Sequence, residues 1–270
     1  MRLKLQKQNC ILKQMEILSQ TKLKEIAKLL QKKNREEKNK FIIEGNHLVF
    51  EALNSNWNVV EIFLRENIKC DEIINIATRK NIVCKIISEK FLEKISETNT
   101  SQGIIAIVEK KSFFRKEILN SNLIVALDEI SDPGNLGTII RTCDWFDVNS
   151  ILISKNSCEL FNSKVIRSTQ GSLFHTKIFD DINLKDEILQ LKKNGFKIFS
   201  TSSYAQKKLY KMKFPQKSVF VFGNESNGIS KNIESICDEN FSIPKFGKGE
   251  SLNVGISCGI ILSHFKNVNL

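Results

Sequence analysis

Three short segments in the second half of the chain carry residue types that could hold a polyanion or a small charged ligand. In DEISDPGNLGTIIRTCDWF (residues 128–146) an apolar run ends at Leu127, a Pro133-Gly134 turn follows, and Asn135 stands where a helix would begin, asparagine being a favoured N-cap. Arg141 lies six residues further on, between Ile140 and Thr142. A guanidinium near the end of a strand is a natural anchor for phosphate, and a salt-bridged structural arginine is the competing reading. In VFVFGNESNGIS (219–230) an apolar strand runs into Gly223, Asn224 and Glu225, then Gly228. Glycines there allow close backbone approach to a ligand, although a plain strand–turn–helix connection would use the same residues. In FSIPKFGKGESLNVGISCGIILSHF (241–265) a short strand reaches Ile243-Pro244, a Gly-Lys-Gly loop follows, and Glu250, Ser251, Leu252 and Asn253 open the last helix. Ser251, Asn253 and the free N–H groups of that helix start are potential donors to a ligand.

Several other chemistries lose support. Ile229 follows Gly228, so the Gly-Lys-Ser/Thr of a phosphate-binding P-loop is missing, and no G-x-G-x-x-G follows any strand. The seven cysteines (10, 70, 84, 143, 158, 237 and 258) are odd in number, scattered, and include no C-x-x-C. They read as reduced thiols of a cytoplasmic protein. Three histidines without a cysteine cluster argue against a structural zinc, and no metal is expected. Histidine is the side-chain type best suited to general-base work at neutral pH, but His175 lies outside the three segments; His47 and His264 read as structural or surface residues. Cys143 and Cys258 read as small core residues.

Charge adds a direction. The net charge of +11 is concentrated at the start: residues 1–40 hold 12 Lys+Arg against 4 Asp+Glu, whereas residues 41–120 hold 11 of each. A basic segment on a near-neutral body points to a polyanion, and clustered cations that release phosphate counterions favour nucleic acid. A solvated helix face is the plainer alternative. No apolar run approaches the roughly 18 residues of a membrane span, and no signal-like segment is visible at the amino terminus. Lys207, Lys208, Lys211, Lys213 and Lys217 cluster between two strands, as RNA contacts or as a solvated loop.

The elements that must position these residues follow from the hydrophobic pattern. Hydrophobic residues are 41% and charged residues 26%, as in an ordinary globular chain. Leu23, Ile26, Ala27 and Leu30 have helical spacing, which predicts one amphipathic helix over 20–33. Residues 32–40 look too polar to bury and are expected to form a solvent-facing turn. Strands are expected at 41–43, 60–64, 82–87 and 104–108, with helices near 46–54, 70–80 and 88–95, giving a small α/β domain over 18–109. The charged stretch 110–121 reads as a linker. A second α/β series over 122–270 has strand candidates at 123–127, 151–153, 196–199, 219–222 and 241–243, and a closing helix over 254–266. Residues 1–17 form a basic extension, and Met15 is an alternative start.

Taken in order, the three segments resemble motifs one, two and three of the SpoU/TrmH family of RNA ribose 2′-O-methyltransferases, within the SPOUT class. Asn135, Gly137 and Arg141 match an N-x-G-x-x-x-R motif; Gly223, Asn224, Glu225 and Gly228 match the second; Ile243, Pro244, Ser251, Leu252, Asn253 and Val254 match the third. KVIRSTQGSLF (164–174) is similar to the family's Arg-x-Ser-x-Gly segment, with Thr169 in the serine position. KNREEKNKFIIEGNHLVFEAL (33–53) and TSQGIIAIVE (100–109) look like the start and the closing strand of the family's substrate-binding domain, which has an L30e-like fold. Asp147 departs from a glycine common after motif one, and Gly255, Ser257 and Cys258 replace other small residues.

The resemblance implies a trefoil-knotted α/β domain, with a parallel sheet flanked by helices, behind a smaller L30e-like α/β domain. It implies S-adenosylmethionine as methyl donor, held by Thr201, Ser202, Gly223, Asn224, Gly228, Ile243, Leu252 and Asn253. Arg141 matches the catalytic arginine, with Asn135, Glu225, Ser251 and Asn253 around the ribose. Arginine stays protonated at neutral pH, so an electrostatic role fits better than that of a base. Lys32, Lys33, Arg35, Lys38 and Arg141 are expected to contact RNA, and ribosomal RNA is favoured over transfer RNA. A cytoplasmic homodimer with no membrane association is implied, and the small residues of the last helix suit a dimer interface or a tightly threaded chain. A non-catalytic RNA-binding module of the same fold is the rival reading.

Overall fold

The computed structural model describes residues 19–97 and 101–269. The basic extension, residues 1–17, therefore lies outside the described residues. The chain divides into two compact units, Met1–Lys111 and Ser112–Leu270.

The first unit opens with α1 (Gln20–Lys28) and α2 (Lys32–Lys38), followed by β1 (Lys40–Glu44), α3 (Asn46–Asn54), β2 (Val59–Arg65), α4 (Asp71–Arg79), β3 (Val83–Ile87), α5 (Glu89–Ile95) and β4 (Ile104–Glu109). Its sheet has the order β1-β4-β2-β3, antiparallel except for the β2–β3 pair. Leu23 and Ile26, with Ala27 partly buried, pack with Phe63, Phe91, Leu92 and Ile105 as the helical spacing predicts, but Leu29, just past the helix end, joins that core in place of Leu30.

That helix is shorter than its spacing predicts, and the expected turn at 32–40 is a second helix. Arg35 is the reason. Its guanidinium is buried and donates to the carbonyls of Leu29 (2.9 Å) and Leu30 (2.7 Å), the free acceptors where α1 ends. A cation at a helix carboxyl end is also favoured by the dipole. Reading the stretch as uniformly solvated missed one inward residue among seven.

The second unit contains β5 (Leu123–Asp128), α6 (Pro133–Trp145), β6 (Ser150–Ser154), α7 (Ser163–Thr169), β7 (Lys177–Ile182), α8 (Leu184–Lys193), β8 (Lys197–Thr201), β9 (Ser218–Gly223), α9 (Lys231–Glu234), β10 (Glu239–Phe241) and α10 (Val254–Val268). All six strands are parallel, in the order β10-β8-β9-β5-β6-β7, and helices flank the sheet. A parallel sheet is buried on both faces, so its strands read as unbroken apolar runs. Alternate residues then serve different cores. Ile124, Ala126, Ile198, Val219 and Val221 meet Ile188 and Leu191 of α8. On the other parity, Phe199 and Phe220 meet Phe214, Phe241 and Phe265, with ring centroids 4.9 Å apart for Phe199–Phe214 and 5.5 Å for Phe220–Phe265. Aromatic pairs of this kind add about 0.5–1.5 kcal/mol each beyond their buried area.

Three expectations change here. The stretch 110–121 is more than a linker: Ile118 is buried in the aliphatic core of the second unit, and Phe113 packs beside it with its ring 5.9 Å from Phe179. Strand β7 was not anticipated, because Asp180 and Asp181 break its apolar run; Asp181 has φ of 54° and the register with β6 shifts there. Strand β10 ends at Phe241, which leaves Ile243 in the following loop. Among the described residues, no helix is long and apolar enough to cross a membrane.

Candidate active site

In the parallel sheet β9 and β5 are neighbours, yet the chain leaves them in opposite directions: β5 leads to β6 on one side, β9 to β10 on the other. Connections that diverge in this way open a crevice beyond the carboxyl ends of the strands, the usual ligand site of open α/β sheets. The first two motif segments lie there, and hydrogen bonds stitch them together.

Asp128, the last residue of β5, is buried and accepts from the Ser230 amide (2.8 Å) and hydroxyl (2.7 Å). Asn224 donates to the Glu129 carbonyl (2.8 Å), while its own carbonyl oxygen accepts from the amides of Ser226 (2.9 Å) and Asn227 (3.1 Å). Glu129 itself adopts φ of 58°. The second loop closes on itself through Asn224 and Gly228, each donating its amide to the other's carbonyl. A Cβ at Gly223 would lie 2.2 Å from the Gly228 carbonyl carbon, and Gly228 has φ of +70°, so both glycines are required by the turn.

Glu225 is the hub. One carboxylate oxygen accepts from Asn135 Nδ2 (2.9 Å) and the Asp132 amide (3.3 Å). The other accepts from Ser131 Oγ (2.9 Å) and the Ser131 amide (3.3 Å). Burial alone would raise its pKa, but the donors from Asn135 and Ser131 outweigh burial and hold the carboxyl below its ordinary value. Asn135 Oδ1 in turn accepts from Asn253 Nδ2 (2.7 Å), and Asn253 Oδ1 caps α10 by accepting from the Gly255 (2.9 Å) and Ile256 (3.3 Å) amides. An anion at one end and helix N–H donors at the other fix the direction of both amides between them. The chain Glu225–Asn135–Asn253 thus ties all three segments together.

The helix start differs from the sequence reading. Asp132, not Asn135, is the N-cap of α6; its carboxylate accepts from the Asn135 amide (2.8 Å), which holds its pKa down, and Pro133 takes the first helical turn. Asn135 is thereby freed for the relay. Helix α6 is gripped closely on two sides. A Cβ at Gly137 would come within 2.3 Å of Ser168 Cβ on α7. On α10, a Cβ at Gly255 would come within 2.9 Å of Thr138 and one at Gly259 within 3.7 Å of Thr142. Of the small residues of the last helix, read as suited to a dimer interface or a tightly threaded chain, Gly255 and Gly259 pack against α6 of the same chain. Cys143 and Cys258 are fully buried, and burial pushes the Cys143 thiol well above its ordinary value.

Arg141 is exposed on α6 and has no hydrogen-bond or ion-pair partner among the described residues. Asn135 and Glu225 engage each other and do not orient it. Ser251 and Asn253 are exposed before α10, Leu252 is 52% exposed, and Ile243 is half-buried. Thr201 Oγ donates to the Val221 carbonyl (3.3 Å), and the Ser202 amide donates to the Phe241 carbonyl (3.0 Å), where β8 and β10 end. In the first unit Lys32 and Lys38 are exposed beside Glu36 (3.7 Å) and Glu37 (3.8 Å), and Lys33 is exposed. Arg35, grouped with them as an RNA contact, is instead committed to the end of α1. Sequence reasoning missed Ser131 and Asp132. The Asp-Pro pair was a capping signal available in the chain; Ser131 could be found only once the two loops met. Among the described residues no three His, Cys, Asp or Glu side chains gather as a metal site would.

Comparisons with known proteins give the family. Residues 122–263 match the SpoU rRNA Methylase family, and residues 20–106 match the MRM3-like substrate binding domain. A Bacillus subtilis protein named 23S rRNA (guanosine(2553)-2′-O)-methyltransferase RlmP is 32% identical over 257 residues, covering 94% of this chain and 100% of its own. A Neisseria meningitidis protein named 23S rRNA (guanosine-2′-O-)-methyltransferase RlmB is 29% identical, over 82% of this chain and 92% of its own. The crystal structure of an AdoMet-bound rRNA methyltransferase from Sinorhizobium meliloti superposes with a TM-score of 0.83 at 27% identity, covering 95% of this chain and 99% of that one. With the motif segments braced at the crevice of a parallel sheet, and with matches across both units, the chain belongs to the SpoU rRNA methylase family.

Proposed function

We propose that the protein transfers the methyl group of S-adenosylmethionine to a ribose 2′-hydroxyl of ribosomal RNA of the 23S type. The observation that carries this reading is the bracing of the three motif loops by Glu225, Asn135 and Asn253, with Asn135 on a helix whose Arg141 has no partner among the described residues. Both relatives above are named for 2′-O-methylation of 23S rRNA, which favours ribosomal over transfer RNA.

The residues expected to line the donor site fit such a ligand. Ile243 and Leu252 offer apolar surface, and a Cβ at Gly228 would meet nothing within 4 Å. The Thr201 hydroxyl and the Asn224 amide are engaged within the protein, so recognition there falls to backbone edges and loop shape, with Gly223 and Ser202 supplying main chain. The donor supplies an already activated methyl group. In the transfer an oxygen–carbon bond forms as the carbon–sulfur bond breaks, and the hydroxyl proton leaves to solvent. The Arg141 guanidinium holds the phosphate next to the ribose and stabilises charge developing on the oxygen. Ser251 and the remaining amide hydrogens of Asn135 and Asn253 orient the hydroxyl, and Glu225 keeps Asn135 in place. Lys32, Lys33 and Lys38 supply phosphate contacts, within an L30e-like RNA-binding domain over 18–109 that precedes a knotted methyltransferase domain over 122–270.

A cytoplasmic homodimer belongs to the same reading. Trp145, 84% exposed on α6, and Ile256, 56% exposed on the adjoining α10, offer apolar surface for a second copy. Light scattering of wild type and Trp145→Glu tests this: a monomeric wild type removes the dimer from the reading.

The deciding experiment is transfer from labelled S-adenosylmethionine to total RNA of cells lacking the protein, with wild type and Arg141→Ala in parallel. Labelled RNA is separated by size and digested to nucleosides. Label in a 2′-O-methyl nucleoside of 23S-sized RNA, lost with Arg141→Ala, is the expected result. Label in tRNA moves the substrate, and no transfer by a folded protein that binds RNA favours a non-catalytic module.

A further inference from the structure

The loop between Pro244 and Ser251 carries Phe246, which at 95% exposure is the most exposed large apolar side chain among the described residues. Phe199, Phe214, Phe220, Phe241 and Phe265 of the same unit are all buried. Lys245 precedes it in the chain and Lys248 follows two residues later; both are exposed and neither has a polar partner among the described residues. A Cβ at Gly247 or Gly249 would meet nothing within 4 Å, so the loop projects clear of the fold. Its two ends are nevertheless held. Before it, Ser242 donates its amide to the Lys207 carbonyl (2.9 Å) and its hydroxyl to the Ala205 carbonyl (3.0 Å). After it, Asn253 is bonded to Asn135 on the helix that bears Arg141.

An exposed ring with a lysine on each side of it in the chain, neither paired among the described residues, is suited to a ligand with a flat π-face and negative charges along it. A protein partner of apolar character would be met by an apolar rim, whereas here the neighbours are Lys245, Gly247 and Lys248, with Glu250 the single acid in the loop. Single-stranded nucleic acid has both features, because every base has a π-face and phosphates lie along the backbone. We propose that Phe246 stacks on a base of single-stranded RNA next to the methylated nucleotide, while Lys245 and Lys248 contact the flanking phosphates. The proposal rests on the RNA methyltransferase reading above and adds the contact that seats the strand beside Arg141. Phe246 is a positioning residue in this account, since it touches the RNA away from the reacting atoms.

The test uses the full-length protein, S-adenosylmethionine and the RNA fraction that the wild type methylates. Phe246→Ala is expected to raise KM for RNA about tenfold, the loss of one stacked base, with kcat unchanged. Phe246→Trp restores the wild-type KM, and Phe246→Leu, apolar but without a π-face, behaves as alanine. Fluorescence of Phe246→Trp is quenched on adding that RNA, beyond the baseline set by Trp57 and Trp145 in the wild type. Lys245→Gln with Lys248→Gln flattens the slope of log affinity against log salt by about 0.7 per lysine. Calorimetry with S-adenosylmethionine and light scattering give wild-type affinity and subunit number for Phe246→Ala. An unchanged KM in Phe246→Ala overturns the proposal while leaving the methyltransferase reading intact. Loss of S-adenosylmethionine binding, or a changed subunit number, overturns it in favour of a ring that covers the cofactor or an interface. A wild type that methylates no RNA defeats the functional reading itself.

Discussion

The hub role of Glu225 yields a quantitative expectation for Glu225→Ala. The carboxylate accepts four hydrogen bonds, from Asn135 Nδ2, the Asp132 amide and both the amide and hydroxyl of Ser131. Bonds to a charged group are worth about 1.5–3 kcal/mol each when desolvated. These sit at an exposed surface, where water takes up freed donors, and two of the four are long at 3.3 Å. The sum is therefore discounted to about 1–2 kcal/mol of stability. For a unit of this size that lowers the melting temperature by about 2–8 °C. The larger effect falls on the site, because Asn135 loses the anion that sets its amide and Asn253 loses a fixed acceptor. Turnover should fall by at least about tenfold, each 1.4 kcal/mol of lost transition-state stabilisation being one factor of ten. Glu225→Gln helps little, since its amide hydrogens face the Ser131 amide, itself a donor. The carboxyl sits below its ordinary value, so its stabilisation is full above the unfolded pKa of about 4.3 and disappears as pH falls through the lower folded value. Wild-type stability should thus show a loss on acidification that Glu225→Ala lacks. Melting curves and initial rates across pH provide both readouts. Wild-type melting temperature and turnover in Glu225→Ala would refute the bracing argument.

Other outcomes follow from the same geometry. Gly137→Ala should destabilise the second unit by about 1–3 kcal/mol, because its Cβ would lie 2.3 Å from Ser168 Cβ and force α6 from α7; denaturant unfolding measures it. Arg35→Ala should cost about 1–3 kcal/mol by stripping donors from the carbonyls at the end of α1, while RNA affinity is retained through Lys32, Lys33 and Lys38; a large affinity loss without destabilisation would restore Arg35 as an RNA contact. Cys143, fully buried with its thiol pushed up by burial, should resist alkylation in the folded protein and react only on unfolding, as mass spectrometry of labelled peptides would show.

The order and type of most elements were legible from local pattern. Unbroken apolar runs at 123–127 and 219–222 announced buried parallel strands, and the spacing of Leu23, Ile26 and Ala27 announced a helix facing a core. Such patterns survive because burial of a face is imposed residue by residue. Where polar residues enter an element, the pattern fails. Asp180 and Asp181 hid β7 by interrupting its run at a bulge, and the charge of 32–38 hid α2, whose single inward side chain answers carbonyls of the preceding helix.

The site divides in the same way. Residue type and spacing singled out the stretches that hold Asn135, Arg141, Glu225 and Asn253, and the likeness to family motifs, each within one stretch of sequence, gave those residues their expected roles. Their division of labour depends on contacts between residues far apart in the chain. Glu225 meets Asn135 across 90 positions and Asn253 meets Asn135 across 118, and those meetings tie up three side chains in a brace while Arg141 stays unpaired among the described residues. The same holds for the glycines of the last helix, whose small size was evident but whose partner, Thr138 of α6, was not. Local chemistry follows from covalent neighbours; which donor finds which acceptor is decided by the folding of the sheet that brings the loops of β5 and β9 to one crevice.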